Sequence, residues 1–203
     1  MFLIFDTDYT GLPQNWNAPL DDFNNWPRLV KIAWRLHDAA GMLIEEKSCL
    51  VKPDGFAIPK VSEKIHGVTT EIATKDGYDI KFVLREFNIV LTKANIVVAH
   101  NIEFDNNIVG SEMLRYSIAT KLFDKVIVDT KTESTEYCAL LGQDGNYRWP
   151  TLENLYFKLF NDNISNSYDI VTDVEATAEC FFELLRLGII DVENFCILDF
   201  IIN

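Results

Sequence analysis

The sequence predicts an α/β fold, a mixed five-stranded sheet flanked by helices. One domain spans residues 1–190 and an apolar extension spans residues 191–203. Three observations carry that expectation. Short apolar, β-prone runs stop abruptly at polar or turn-forming residues. Between them lie stretches of helical period. Their order is strand, hairpin, helices, strand, helix, strand, helices, which suits one mixed sheet with helices packed on it. With 203 residues, 48% of them hydrophobic, the chain can close a substantial core.

The first run, Phe2 to Phe5, reads as a buried strand whose carboxyl end carries Asp6-Thr7-Asp8 before a Gly-Leu-Pro turn. Residues 14–28, with Trp16 and Trp26 among Asn, Asp and Pro, read as an ordered loop. Val30 to Leu36 and Leu43 to Val51 flank a turn at Ala39-Ala40-Gly41 and predict an antiparallel hairpin. Ser62 to His66 and Thr69 to Thr74 read as short capped helices. Ile80, Val83, Leu84, Phe87, Val90 and Leu91 hold helical spacing through a longer one. Ile96 to Ala99 is a second buried strand, and His100-Asn101 separates it from a helix carrying Phe104, Asp105, Ile108 and Met113. Val126 to Val128 is a short strand ending at Asp129, followed by amphipathic helices over Thr151 to Phe160 and Val174 to Leu187. The tail, ending Phe-Cys-Ile-Leu-Asp-Phe-Ile-Ile-Asn, is too apolar to lie free in water, and is expected to dock on the domain or meet a partner.

Composition narrows the function classes. No apolar run approaches the roughly 20 residues of a membrane span. The start, Met-Phe-Leu-Ile-Phe-Asp, lacks a basic leader region. No membrane association and a cytoplasmic location are the expectation. Cys49, Cys138, Cys180 and Cys196 lack paired spacing and read as buried thiols. A formal net charge of −13, with only 18 basic residues, runs against broad phosphate neutralisation. An acidic pocket whose charge is inverted by bound divalent ions is compatible with it.

Three acidic clusters carry the chemistry: Asp6 with Asp8, then Asp105, then Asp173. Each alone reads equally as an acidic turn or a helix N-terminal residue. In an α/β sheet, however, strand carboxyl ends and the helix starts after them share one edge, so the three can converge. Asp6 and Asp8, two apart on a strand, point to the same face. Four carboxylates at such density repel unless hard cations bind, and two divalent ions can stabilise both oxygens of an in-line displacement at phosphorus.

Phe5-Asp6-Thr7-Asp8-Tyr9-Thr10-Gly11-Leu12-Pro13, His66-Gly67-Val68-Thr69, His100-Asn101-Ile102-Glu103-Phe104-Asp105 and Asp173-Val174-Glu175-Ala176-Thr177 together resemble the DEDD 3′–5′ exonuclease superfamily, whose fold is ribonuclease H-like. The likeness is to its DEDDh branch, which includes the proofreading epsilon subunit of bacterial DNA polymerase III. It implies that Asp6, Asp8, Asp105 and Asp173 bind two Mg²⁺ or Mn²⁺ ions. It also implies that Thr10, Gly11 and Leu12 line the terminal nucleotide of a single-stranded DNA or RNA 3′ end, with His66, Asn101 and Phe104 near the strand. From the residues alone His66 is also a backbone-satisfied helix end, Phe104 also a core aromatic, and Leu12 either wedge or core.

The chain departs from that pattern twice. Asp8 stands where the family's second acid is normally glutamate. Tyr168 stands where the DEDDh branch has its histidine, five positions before Asp173. Tyrosine, with an ordinary pKa of about 10 against about 6.5 for histidine, is a poor base at neutral pH. The expectation is a metal-dependent 3′–5′ exonuclease with Tyr168 as a weak or orienting substitute. The alternative is a degenerate exonuclease fold that binds nucleic acid or a polymerase partner without cutting. A polymerase or homodimer contact through the tail is compatible with both.

Overall fold

The computed structural model describes residues 1–165 and 169–192, so Tyr168 and most of the apolar extension lie outside the described residues. The sheet has five strands: β1 (Phe2–Tyr9), β2 (Leu29–His37), β3 (Leu43–Leu50), β4 (Ile96–Ala99) and β5 (Val126–Asp129), in the order β3-β2-β1-β4-β5. The hairpin strands β2 and β3 extend β1 antiparallel on one side, with Phe5 opposite Trp34. On the other side β4 and β5 run parallel to β1, with Ile4 beside Val98. The hairpin turns where expected. Asp38 Oδ1 accepts from the Ala40 and Met42 amides, both at 2.9 Å, and Gly41 takes φ +83°.

The period of two along β1 divides the core. Leu3 and Phe5 join Trp34, Leu36, Phe87 and Val109 on one face. There the helices α3 (Ile80–Lys93) and α4 (Ile102–Arg115) supply the apolar stripe. Phe2 and Ile4 join Val98, Leu155, Val174 and Phe181 on the other, under α7 (Leu152–Phe160) and α8 (Ile170–Arg186). Asp79 caps α3 by accepting from the Phe82 amide at 3.1 Å, and Thr151 with Asn154 closes a reciprocal capping box on α7. Two short helices, α1 (Lys60–His66) and α2 (Thr70–Asp76), follow β3.

Three boundaries differ from expectation. β1 does not stop at Phe5. It continues through both acids to Tyr9, because β2 offers an unbroken antiparallel partner as far as Lys31 opposite Asp8. Beyond it the register shifts, so Tyr9 faces Leu29 and Val30 is the extra residue of a bulge. Helix α8 begins at Ile170, four residues early, so that Asp173 sits within its first turn. After β5 the polar stretch folds into α5 (Thr130–Glu133) and α6 (Thr135–Cys138), and Leu141 bridges Tyr147 in a small hairpin. Cys49, Cys138 and Cys180 are buried free thiols, as composition suggested. Among the described residues no helix is long and apolar enough to cross a membrane.

Candidate active site

Because β1 alternates, Asp6 and Asp8 project on the α8 face while Thr7 projects toward α4. The Thr7 hydroxyl donates to Asp105 Oδ1 at 2.6 Å and fixes that carboxyl, which is 3% exposed, against the strand. Asp105 reaches this point through a sharp turn. Asn101 takes φ +84°, a conformation asparagine tolerates better than most residues, and its amide donates to Asp129 Oδ1 at the end of β5 at 2.8 Å. Asp6 and Asp105 act on one another, and the Asp6 charge adds to burial in disfavouring the ionised Asp105.

Asp173 joins the group from α8: its charge acts on Asp8, and the Asp6 charge acts on it. Burial, followed by the Asp8 charge, raises Asp6 to a pKa of about 7. Burial also raises Asp8 to about 7, against the pull of Lys31 and with the push of Asp173 and Asp169. Asp173 is raised to about 7 by burial and by Asp6, and Asp105 well above the usual carboxylate range by burial and by Asp6. The nearby cation Lys31 is itself engaged by Asp169, the N-cap residue of α8, at 3.1 Å.

A cleft of about 650 Å³ opens over these acids, lined by Asp6, Asp8 and Asp105 together with Gly11, Leu12, His66, Asn101 and Phe104. Thr10 and Asp173 are not part of that lining. Gly11 takes φ +152°, where a side chain would be strained although space is open. Leu12 is 66% exposed and therefore no core residue. Phe104 is both wall and core, with ring centroids 4.6 Å from Tyr9 and 5.1 Å from Trp16. Thr10 closes the neck of the following loop. Its amide donates to the Arg28 carbonyl at 3.0 Å, and its hydroxyl accepts from the Arg28 amide at 2.9 Å.

The histidines separate by their partners. His100 has both nitrogens engaged, Nδ1 with Thr130 Oγ1 at 3.0 Å and Nε2 with the Pro150 carbonyl at 3.1 Å, and burial lowers its pKa. His66 ends α1 ahead of left-handed Gly67, and its Nδ1 accepts from the Val68 amide at 3.1 Å. Its Nε2 is buried without a hydrogen-bond partner, and burial lowers its pKa, so the neutral ring faces the cleft.

The donor set is oxygen only and its negative charge is poorly compensated, which fits hard divalent cations. Among the described residues no three His, Cys, Asp or Glu side chains stand close enough together to enclose an ion. Thr7 engages two of the carboxyls, its amide donating to Asp6 Oδ1 at 2.9 Å and its hydroxyl to Asp105 Oδ1.

A family model described as exonuclease, of the RNase T type, matches residues 3–181. The chain belongs to this exonuclease family. Exonuclease I of E. coli in complex with a dT13 oligonucleotide is similar at a TM-score of 0.71 and 20% identity, over 91% of this chain and 40% of that one. Its zinc-bound complex with single-stranded DNA matches at 0.67 and 20%, over 90% and 40%. Exonuclease I from Methylocaldum szegediense matches at 0.68 and 18%, again over 90% and 40%. The chain thus spans about two fifths of these structures, and at such identities they share the ribonuclease H-like exonuclease fold. No curated protein matches the sequence.

Sequence reasoning missed Thr7, whose role follows from the alternation that put Asp6 and Asp8 on one face: the residue between them must point to the other. It also missed Lys131, whose ammonium hydrogen-bonds the Asn101 side-chain oxygen across 30 positions. No local pattern announces that contact.

Proposed function

We propose that the chain is a metal-dependent 3′–5′ exonuclease acting on single-stranded nucleic-acid ends and releasing nucleoside monophosphates. One observation carries the reading. Within an exonuclease family fold, four carboxylates from three distant segments act electrostatically on one another, three of them raised to a pKa of about 7. Asp6, Asp8, Asp105 and Asp173 would hold two Mg²⁺ or Mn²⁺ ions, which when bound supply Lewis-acid stabilisation of the attacking and leaving oxygens. Gly11 permits close approach of the backbone to the terminal nucleotide, and exposed Leu12 is placed to wedge beside its base. Phe104 forms the floor, and His66 and Asn101 offer polar atoms to the sugar and phosphate. Tyr168, in the position of the family's histidine, orients water and is a weak base.

A second reading, a fold that binds without cutting, is favoured by Asp8, by Tyr168 and by the net charge of −13. The deciding experiment is nucleotide release from a 3′-labelled single strand in Mn²⁺. Activity that vanishes in Asp6→Ala and rises about 10²-fold or more in Tyr168→His establishes an impaired exonuclease. No release by the wild type or by Tyr168→His, with the strand still bound, establishes the binder.

A further inference from the structure

The segment after β5 gathers a feature that the acids do not explain. Lys131, at the start of α5, contacts the Asn101 side chain on the cleft wall, and its Nζ lies 4.5 Å from the centroid of the Trp149 indole. Trp149 is 63% exposed, so most of its ring remains open to solvent, and Tyr147 beside it is also exposed. The hairpin that presents them is tied by its backbone: the Gly142 amide donates to the Asn146 carbonyl at 2.7 Å, and the Arg148 amide to the Leu140 carbonyl at 2.8 Å. The next residue, Pro150, is buried and accepts from His100, so the base of the hairpin is fixed to the turn that carries Asn101.

Unpaired cations and open aromatic rings coincide in this strip. In a chain of net charge −13, ten of the 18 cations stand against a carboxylate, as Arg186 does with Glu183 and Lys47 with Glu86. Neither Lys131 nor Arg148 forms an ion pair with any described residue, and Asp144, the acid within the hairpin, is engaged by Asn146. Two uncompensated cations interleaved with two open aromatic rings, continuous with the cleft wall, match single-stranded nucleic acid, whose phosphates seek cations and whose bases stack on any ring.

We propose that residues 140–149 form a stacking platform, with Trp149 at its centre, for the nucleotides that lie just 5′ of the reacting end. The inference rests on the exonuclease reading of the cleft. The platform makes affinity depend on strand length, because Trp149 lies outside the lining of the cleft and adds contacts for a strand that extends past it. It sets Arg148, with Lys131 over the indole, along the path of the strand.

The test is fluorescence anisotropy of a labelled twelve-residue oligothymidylate and a labelled trithymidylate on the full chain in Ca²⁺, with Trp149→Ala, Trp149→Phe and Arg148→Ala. The wild type should prefer the long strand. Trp149→Ala should weaken its binding about tenfold, and Trp149→Phe should restore most of the loss. Arg148→Ala should reduce the salt dependence of binding by about one phosphate contact. Equal affinity of wild type and Trp149→Ala for the long strand, or no binding of it at all, overturns the platform. Hydrolysis of the p-nitrophenyl ester of thymidine 5′-monophosphate by the wild type reports on the carboxylate centre separately. Strand binding through Trp149 without that hydrolysis leaves the platform standing and removes the exonuclease reading. Hydrolysis with an indifferent Trp149 does the reverse.

Discussion

Helix α4 carries two buried carboxylates two turns apart, and they have opposite surroundings. Glu112, fully buried, receives Arg28 Nε at 2.6 Å and the Leu29 amide at 3.2 Å, with Arg115 Nε 3.4 Å away. Asp105 receives one hydroxyl, from Thr7, and otherwise faces Asp6. Burial of a charge is costly unless it is paired. The chain supplies the counter-charge at Glu112 and withholds it at Asp105. The first carboxylate belongs to the architecture. The second has a charge deficit that an external cation can fill.

Removing each carboxylate should therefore produce opposite results. Asp105→Asn should abolish nucleotide release by more than about 100-fold, since losing even an outer partner of a metal ligand costs about 10- to 100-fold. The same change should raise the melting temperature of the metal-free protein, measured by calorimetry. A drop in that temperature would show Asp105 to be architectural as well. Glu112→Ala should instead cost about 3 to 5 kcal/mol in urea unfolding, because Arg28 and Arg115 are left without their partner. A cost below about 1 kcal/mol would erase the contrast.

Thr7→Val removes the hydroxyl that orients Asp105 and keeps the β-branched shape. It should raise the Mn²⁺ concentration for half-maximal activity by about 10- to 100-fold, with the rate at saturating Mn²⁺ less affected. An unchanged metal requirement would assign Thr7 to packing alone.

Stability also depends on pH. Asp6, Asp8 and Asp173 are raised from 3.8 to about 7 in the fold, so between those values the folded chain holds protons that the unfolded chain has released. Stability then falls as pH rises through that window, and is level below about 4 and above about 7. Metal-free protein should melt at a lower temperature at pH 7.5 than at pH 5.5, and Mg²⁺ should narrow the gap. A flat profile in chelator would show that the acids are not strained by one another.

Much of the frame was legible because local pattern and tertiary demand agree. Ile80, Val83, Leu84, Phe87, Val90 and Leu91 announced α3, and the hairpin of β2 and β3 turned at Gly41 as its residues required. The length of β1 was not legible, because Asp6 and Asp8 look like a strand's end. Only pairing with β2 carries the strand through them. Helices α5 and α6 were hidden in a polar stretch, where α5 is set by packing on β5 and α8, and α6 by packing on α7, not by an apolar period. For the candidate site, the four acids could be named from their order along the chain. Their partners could not: Thr7 to Asp105 spans 98 positions and Lys31 to Asp169 spans 138.

The neck formed by Thr10 and Arg28 has a use of its own. Two hydrogen bonds, one between backbones and one to the Thr10 hydroxyl, bring the ends of residues 11–27 together, while within the loop Asn15 and Asn25 exchange hydrogen bonds and Trp26 donates to the Pro19 carbonyl. A segment whose ends meet and which is tied internally behaves as a cassette. Transplanting it from a relative, with Thr10 and Arg28 kept as the clasp, would exchange the Gly11 and Leu12 side of the cleft without redesigning the sheet beneath. For an engineer, that clasp marks where specificity can be exchanged independently of the carboxylates.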